Sequence, residues 1–227
     1  MTVRDPKLWR RDPRPGLLVI VFGFGAAGFA FLLAMVLLYR PFVAFDERVS
    51  HAFASVDAPL LDVLFRSVNG IGSFWSMAVL TTITALVLVL RKHVAEGTLL
   101  IATVSIGTLM GDVTRGLVER VRPGLETARI PLPDSYSFPS GHALASFLFF
   151  GTVAFIAFLH VKRVRAKFLI FAGCTALAIG VALARVYLGV HWFGDVTASW
   201  LLGSAWMMVC FGVYFWAITL SDESSED

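Results

Sequence analysis

Charge is scarce in this chain. Only 15% of its 227 residues are Asp, Glu, Lys or Arg, against about 25% in an ordinary soluble domain. That excludes a water-soluble globule. It also excludes a disordered segment, which combines high charge with low hydrophobicity. Cysteine is nearly absent, and Cys174 and Cys210 both lie in apolar runs, where they read as small buried hydrophobes rather than as a disulfide. An excess of one charge sign is lacking too, since 19 basic and 16 acidic residues leave a formal net charge of +3. No segment outside short loops offers the basic face that a nucleic-acid partner requires. There is no internal repeat of the transporter kind.

What is present in abundance is hydrophobicity. Apolar and aromatic residues make up 57% of the chain, and its mean hydropathy is +0.77. Six apolar runs stand out, at 17–39, 71–90, 98–117, 143–161, 168–187 and 196–220. Each is long enough to cross a bilayer, and in lipid a single unpaired segment can satisfy its backbone only as a helix. Six spans take about 120 residues, which leaves no room for a separate soluble domain of about 100–150. The expected fold is all-α: one integral membrane domain over 1–227, with six transmembrane helices. A basic N-terminus (1–16) precedes it and an acidic tail (221–227) ends it. The first run follows Arg4, Lys7, Arg10, Arg11 and Arg14, is too long for a signal-peptide core, and reads as an uncleaved first span. Between spans one and two, the mixed stretch 42–69 carries Asp46, Glu47, Asp57 and Asp62 among apolar residues. It reads as short interfacial helices broken near Asp57-Ala58-Pro59. With the N-terminus inside, Arg91-Lys92 and the cluster Lys162-Arg163-Val164-Arg165-Ala166-Lys167 also fall inside, as the positive-inside rule favours. The loops after spans three and five then face outward.

Three polar clusters sit at span ends on that outer side. In Arg115-Gly-Leu-Val-Glu-Arg-Val-Arg122-Pro123, the first and last arginines are spaced to share a helix face two turns apart. Paired guanidiniums there can grip a phosphate. The same pair reads equally as interfacial snorkelling, with salt bridges to Asp112 and Glu119. In Phe138-Pro139-Ser140-Gly141-His142, Ser140 suits an N-cap and Gly141 permits close approach. The helix N-terminus that follows is an anion site, with His142 placed to donate a proton. A plain helix-starting turn is the alternative. In Arg185-Val-Tyr-Leu-Gly-Val-His191-Trp-Phe-Gly-Asp195, the His and Asp are spaced to meet if a helix begins there. The carboxylate would then fix the imidazole tautomer and leave the other nitrogen to attack. A local His–Asp contact at a helix start is the alternative, although ionisable residues bordering spans are costly. Together the clusters supply cations for a tetrahedral anion, a nucleophile and an acid, which suits phosphoryl transfer. The arginines would repel a metal ion held by these histidines and the aspartate.

These motifs resemble the type 2 phosphatidic acid phosphatase superfamily of membrane lipid phosphatases. Its pattern is Lys-x6-Arg-Pro, then Pro-Ser-Gly-His, then Ser-Arg-x5-His-x3-Asp. Order, spacing and six-span layout all match from span two to span six. The resemblance implies that His191 is the nucleophile that forms a phosphohistidine, Asp195 its orienter and His142 the general acid. It implies a phosphate clamp of Arg115, Arg122 and Arg185, completed by Ser140 and the Gly141 backbone N–H, and no metal or other cofactor. The implied substrates are lipid phosphates or diphosphates such as undecaprenyl diphosphate, phosphatidylglycerol phosphate, phosphatidic acid or lipid A phosphates. The implied setting is a bacterial cytoplasmic membrane with the site facing the periplasm or exterior. Transfer of the phosphoryl group to a second lipid, or an inactive scaffold, are the alternatives. Two departures stand out: Arg115 replaces the family lysine, a planar fork for a compact ammonium, and Ala184 replaces the serine before Arg185.

Other residues read structurally. Asp112 is expected to pair with Arg115, Trp192 to anchor at the interface, and Arg129 to be a solvated loop charge near Tyr136. Gly107-x3-Gly111 suggests close helix packing. Gly23, Gly25 and Gly28 soften span one. His51, His93 and His160 lack motif context and read as surface or interfacial.

Overall fold

The computed structural model describes residues 15–223, so most of the basic N-terminal segment and the last four residues of the acidic tail lie outside the described residues. Eight helices appear among the described residues: α1 (Pro15–Leu38), α2 (Arg40–Ala54), α3 (Pro59–Ile71), α4 (Phe74–Leu90), α5 (Val94–Val118), α6 (Gly141–His160), α7 (Val164–Tyr187) and α8 (Phe193–Glu223). Five of them, α1, α5, α6, α7 and α8, are each long and apolar enough to cross a membrane. α3 and α4 make a sixth candidate crossing when counted as one span, bent by 52° at Gly72-Ser73. The apolar run 71–90 is thus less simple than it reads. Ser73 caps α4, its Oγ accepting the Ser76 N–H at 3.3 Å, which restarts the helix in a new direction. The stretch expected to hold interfacial helices folds into two short helices, α2 and α3. Each has proline in its first turn, and residues 55–58 break them apart.

The bundle centre is apolar. Leu100 of α5, Leu144 and Leu148 of α6 and Phe211 of α8 belong to one buried cluster. Gly107 and Gly111 do permit close packing, because a Cβ on either would strike Leu148 or Leu144 of α6. Gly25 does the same for α1 against α8, where a Cβ would come within 2.8 Å of Leu201 O. Cys174 and Cys210 are buried free thiols. Outward-facing Phe24, Phe168 and Trp216 are exposed, as a lipid-facing surface requires.

One end of the bundle is elaborated. The 119–140 loop between α5 and α6 and the 188–192 turn between α7 and α8 meet there. Arg129 N donates to Leu188 O at 3.0 Å, and Ser137 N to Arg120 O at 2.8 Å. Gly189 makes the tight turn after α7 with φ +68°, a left-handed conformation that L side chains rarely adopt. A Cβ there would also overlap the Thr127 carbonyl, so loop and turn are fitted to one another.

Candidate active site

All three polar clusters converge on this end, by routes that differ from simple helical spacing. α5 stops at Val118 because Glu119 turns left-handed, with φ 52°. Arg122 is therefore on the loop and shares no helix face with Arg115. The loop folds back to bring the two arginines together. Likewise α8 begins at Phe193, so His191 lies in the preceding turn and Asp195 in the first helical turn. The pair still meets, with His191 Nδ1 at 3.4 Å from Asp195 Oδ2.

Asp195 is fixed from several sides. Its Oδ2 also accepts the Trp192 backbone N–H at 3.0 Å. Its Oδ1 accepts from Arg120 Nη1 at 2.6 Å. The other arm of Arg120, Nη2, lies 2.7 Å from Asp46 Oδ2 on α2, and Asp46 Oδ1 takes the Gly194 N–H at 2.9 Å. Both carboxylates are 0% exposed and Arg120 is 8% exposed. One guanidinium thus bridges two buried acids from α2 and α8. Burial pushes the Asp46 carboxyl above its ordinary range, while Arg120 and the Gly194 N–H pull it back.

His191 is itself buried. Desolvation first, then the charges of Arg185, Arg122 and Arg115, hold its imidazole well below the ordinary value, so it is neutral at neutral pH. With Nδ1 facing a carboxylate, the lone pair sits on Nε2. That nitrogen is 3.0 Å from Arg122 Nη1. Arg122 also donates to Ser135 O at 2.6 Å, Val190 O at 2.6 Å and Tyr136 O at 3.1 Å. Burial, then the Arg115 charge, bring this guanidinium down to about 10, still cationic at neutral pH.

Around His191 lie the other residues singled out in the sequence. Arg115 donates from Nε to Pro139 O at 3.3 Å and pairs with Asp112 at 2.9 Å, as expected, although Asp112 is 63% exposed and the pair adds little stability. Gly141 opens α6 directly beside Arg115, where a Cβ would come 2.7 Å from Nη2. His142 follows in the first turn, within electrostatic reach of Arg185, His191, Arg122 and Arg115. Arg185, at the end of α7, bonds through Nη1 to Asn69 Oδ1 of α3. Two buried polar atoms in this group have no hydrogen-bond partner: Arg185 Nε and Ser140 Oγ. Ser140 occupies the N-cap position of α6 without using its side chain to cap. Orphaned donors beside a neutral imidazole suit an anionic ligand. A cavity of about 860 Å³ adjoins the arginines, lined by Arg115, Arg122, Val121, Leu125, Leu132 and Tyr136 among others.

Arg129 is not a solvated charge. It pairs with Asp62 at 3.0 Å, donates to the carbonyls of Phe53, Ala54 and Val56, and lies 4.5 Å above the Tyr187 ring. It pins the loop to the break between α2 and α3. Trp192 is more than an interfacial anchor, since its Nε1 bonds Val121 O at 2.8 Å and its ring lies under Arg120. Sequence reasoning passed over Arg120 and Asp46. The only available signal was an arginine lying between two motif arginines.

The family model described as PAP2 superfamily matches residues 96–219, more than half of the chain. The chain belongs to the PAP2 superfamily. It is a phosphatase of the PAP2 type and an integral membrane protein. It is similar to phosphatidylglycerophosphatase B of Bacillus subtilis, 26% identical over 70% of this chain and 77% of that protein. It is also similar to an undecaprenyl-diphosphatase of Sulfolobus acidocaldarius, 32% identical over 54% of this chain and 57% of that protein. Among solved structures, a transmembrane PAP2-type phosphatidylglycerolphosphate phosphatase from Bacillus subtilis superposes with a TM-score of 0.75. That match covers 86% of this chain and 94% of that one at 26% identity. Aquifex aeolicus LpxE shares the fold, with a TM-score of 0.57 at 22% identity over 73% of this chain and 93% of that one.

Proposed function

We propose that this PAP2 member removes the terminal phosphate of a membrane lipid phosphate or diphosphate through a phosphohistidine on His191. The observation that carries the reading is the buried neutral imidazole, with Nδ1 on Asp195 and Nε2 aimed among arginines, beside the unpartnered Arg185 Nε and Ser140 Oγ. A phosphate entering here satisfies those orphans and draws the Arg122 N–H from Nε2 to its own oxygens, which frees the lone pair to attack phosphorus. Nε2–P forms as the P–O bond to the lipid breaks, and His142 gives its proton to the departing oxygen. In the second step His142 takes a proton from water as the water attacks phosphorus, releasing inorganic phosphate and restoring His191. Arg115, Arg122, Arg185 and the N–H groups at the head of α6 stabilise the charge on the transferring group. Guanidiniums fill the place that a metal cation would otherwise take.

The substrate class follows from the setting. The 860 Å³ cavity beside Arg115 and Arg122 has room for a headgroup, and Val121, Leu125 and Leu132 give it apolar walls. Phosphatidylglycerol phosphate, undecaprenyl diphosphate and phosphatidic acid are the candidates, the first two matching the names of the relatives. The distribution of lysine and arginine supports a site opening on the outer face.

The test is phosphate release by detergent-purified protein from these lipids, in EDTA, with His191→Ala alongside. Release from one lipid, lost by about 10³-fold or more in the variant, is expected. Activity that survives His191→Ala overturns the nucleophile. Transfer of phosphate to an added lipid alcohol instead of water would make the enzyme a phosphotransferase.

The contact of Gly141 with Arg115 gives a subtler prediction. A methyl group in Gly141→Ala pushes on the end of a flexible side chain, so the fold survives while the guanidinium shifts. Losing one charge-assisted hydrogen bond to the phosphate should lower kcat/KM by about tenfold. The thermal midpoint should stay unchanged. Kinetics and thermal unfolding on the same preparation check both halves.

A further inference from the structure

We infer that His93, Glu96 and His160 form a binding site for a divalent transition-metal ion of the Zn²⁺ class, at the end of the bundle away from the candidate active site. The inference is independent of the phosphatase mechanism. Arg115 lies 19 residues along α5 from Glu96, roughly 28 Å at 1.5 Å per residue.

Three chain segments bring the ligands together. His93 is the residue immediately before α5, Glu96 stands in the first turn of α5, and His160 ends α6. Their ligand atoms all lie within 4.8 Å of one another. His160 Nε2 is 2.7 Å from Glu96 Oε1, and His93 Nδ1 is 3.9 Å from Glu96 Oε2. Ligand atoms around a tetrahedral Zn²⁺ stand about 3.3 Å apart, given metal–ligand distances near 2.0–2.1 Å. The observed separations bracket that value, and side-chain shifts of less than about 1 Å would close the site. Two imidazoles and a carboxylate are a ligand set that Zn²⁺ uses, with water in the fourth position.

The surroundings are those of a supported site. Glu96 is buried, and Tyr214 Oη of α8 donates to its Oε1 at 3.0 Å, the outer hydrogen bond that orients a ligating carboxylate. His93 follows the Schellman turn that ends α4: Lys92 is left-handed with φ 65°, Lys92 N bonds Val89 O at 2.9 Å and His93 N bonds Leu88 O at 2.8 Å. The two imidazole rings stand edge to face at 4.4 Å between centroids. A simple Glu96–His160 ion pair engages one histidine closely and leaves His93 at 3.9 Å from Glu96 Oε2, beyond hydrogen-bond distance. A bound ion uses both, and it ties the α4–α5 turn, the end of α6 and, through Tyr214, α8.

The experiment uses the full-length protein in detergent, stripped with a chelator and then freed of it. Calorimetric titration with Zn²⁺ alone should show one saturable site per chain. The thermal midpoint should rise with Zn²⁺ concentration, as binding to the folded state requires. Co²⁺ in place of Zn²⁺ should give the visible d–d absorption of a four-coordinate site. His93 is 42% exposed in a surface turn, so His93→Ala is expected to fold. It should weaken Zn²⁺ binding by about 100-fold, and Tyr214→Phe by about tenfold. His160→Ala should match His93→Ala. No saturable uptake by the stripped wild type, or uptake unchanged by His93→Ala, overturns the site.

Discussion

Arg120→Met is expected to destabilise the protein by about 3–5 kcal/mol, because it leaves two buried carboxylates without their shared cation. Asp46 and Asp195 are both fully buried and Arg120 donates to each, at 2.7 and 2.6 Å. An exposed ion pair would cost little to break, but water cannot reach these acids to compensate. The effect reaches the chemistry as well. Asp195 keeps the Trp192 N–H, Ser137 and the His191 contact but loses its charged anchor, which lets its carboxylate rotate away from Nδ1. In the fraction that folds, kcat should fall by about 10²-fold or more, with KM changed little, since both arms of Arg120 are committed to the two acids rather than to substrate. Arg120→Lys should recover part of the stability and little of the rate. A single ammonium cannot reproduce a planar fork that reaches two acids at once. Thermal unfolding in detergent and steady-state kinetics on both variants provide the check. A fully stable, fully active Arg120→Met protein would show that the bridge positions nothing.

The same residues show what could and could not be read from the chain. The long helices were legible because lipid allows a lone span no other backbone solution, so hydropathy and length suffice. The three polar clusters that meet at the candidate site were legible because each is local in sequence, and their spacing survives whatever the backbone does between them. Their route to the site was not. Periodicity put Arg115 and Arg122 on one helix face, whereas the left-handed Glu119 ends α5 first and a loop does the work. Nothing in the sequence marks a glutamate for that conformation. The Asp46–Arg120 contact spans 74 positions. An aspartate in an amphipathic stretch reads as solvated, so its burial could not be foreseen. Arg129 failed for the same reason: its four partners come from α2, α3 and the residues between them. The bend at Gly72-Ser73 was hidden inside an apolar run, with only a glycine and a capping serine to announce it.

His142→Ala should separate the two halves of the reaction. On a lipid phosphate monoester the departing alkoxide is a poor leaving group and needs a proton as the P–O bond breaks. Removing the acid should therefore cost about 10²–10⁴-fold. A nitrophenyl phosphate needs no such help, because nitrophenolate leaves as the anion. With that substrate His191, oriented by Asp195 and still among its arginines, should be phosphorylated at a near-normal rate. The second step then stalls, since water loses the base that would take its proton. The expected record is a stoichiometric burst of nitrophenolate, slow turnover afterwards, and a phosphohistidine that accumulates and can be trapped in acid-free gels. His191→Ala should give neither burst nor trapped label. Equal losses on both substrates, with no burst, would assign His142 to binding the phosphate alone. The burst is the sharper observable because a merely structural role for His142, in the first turn of α6 beside Arg115, would slow both steps together.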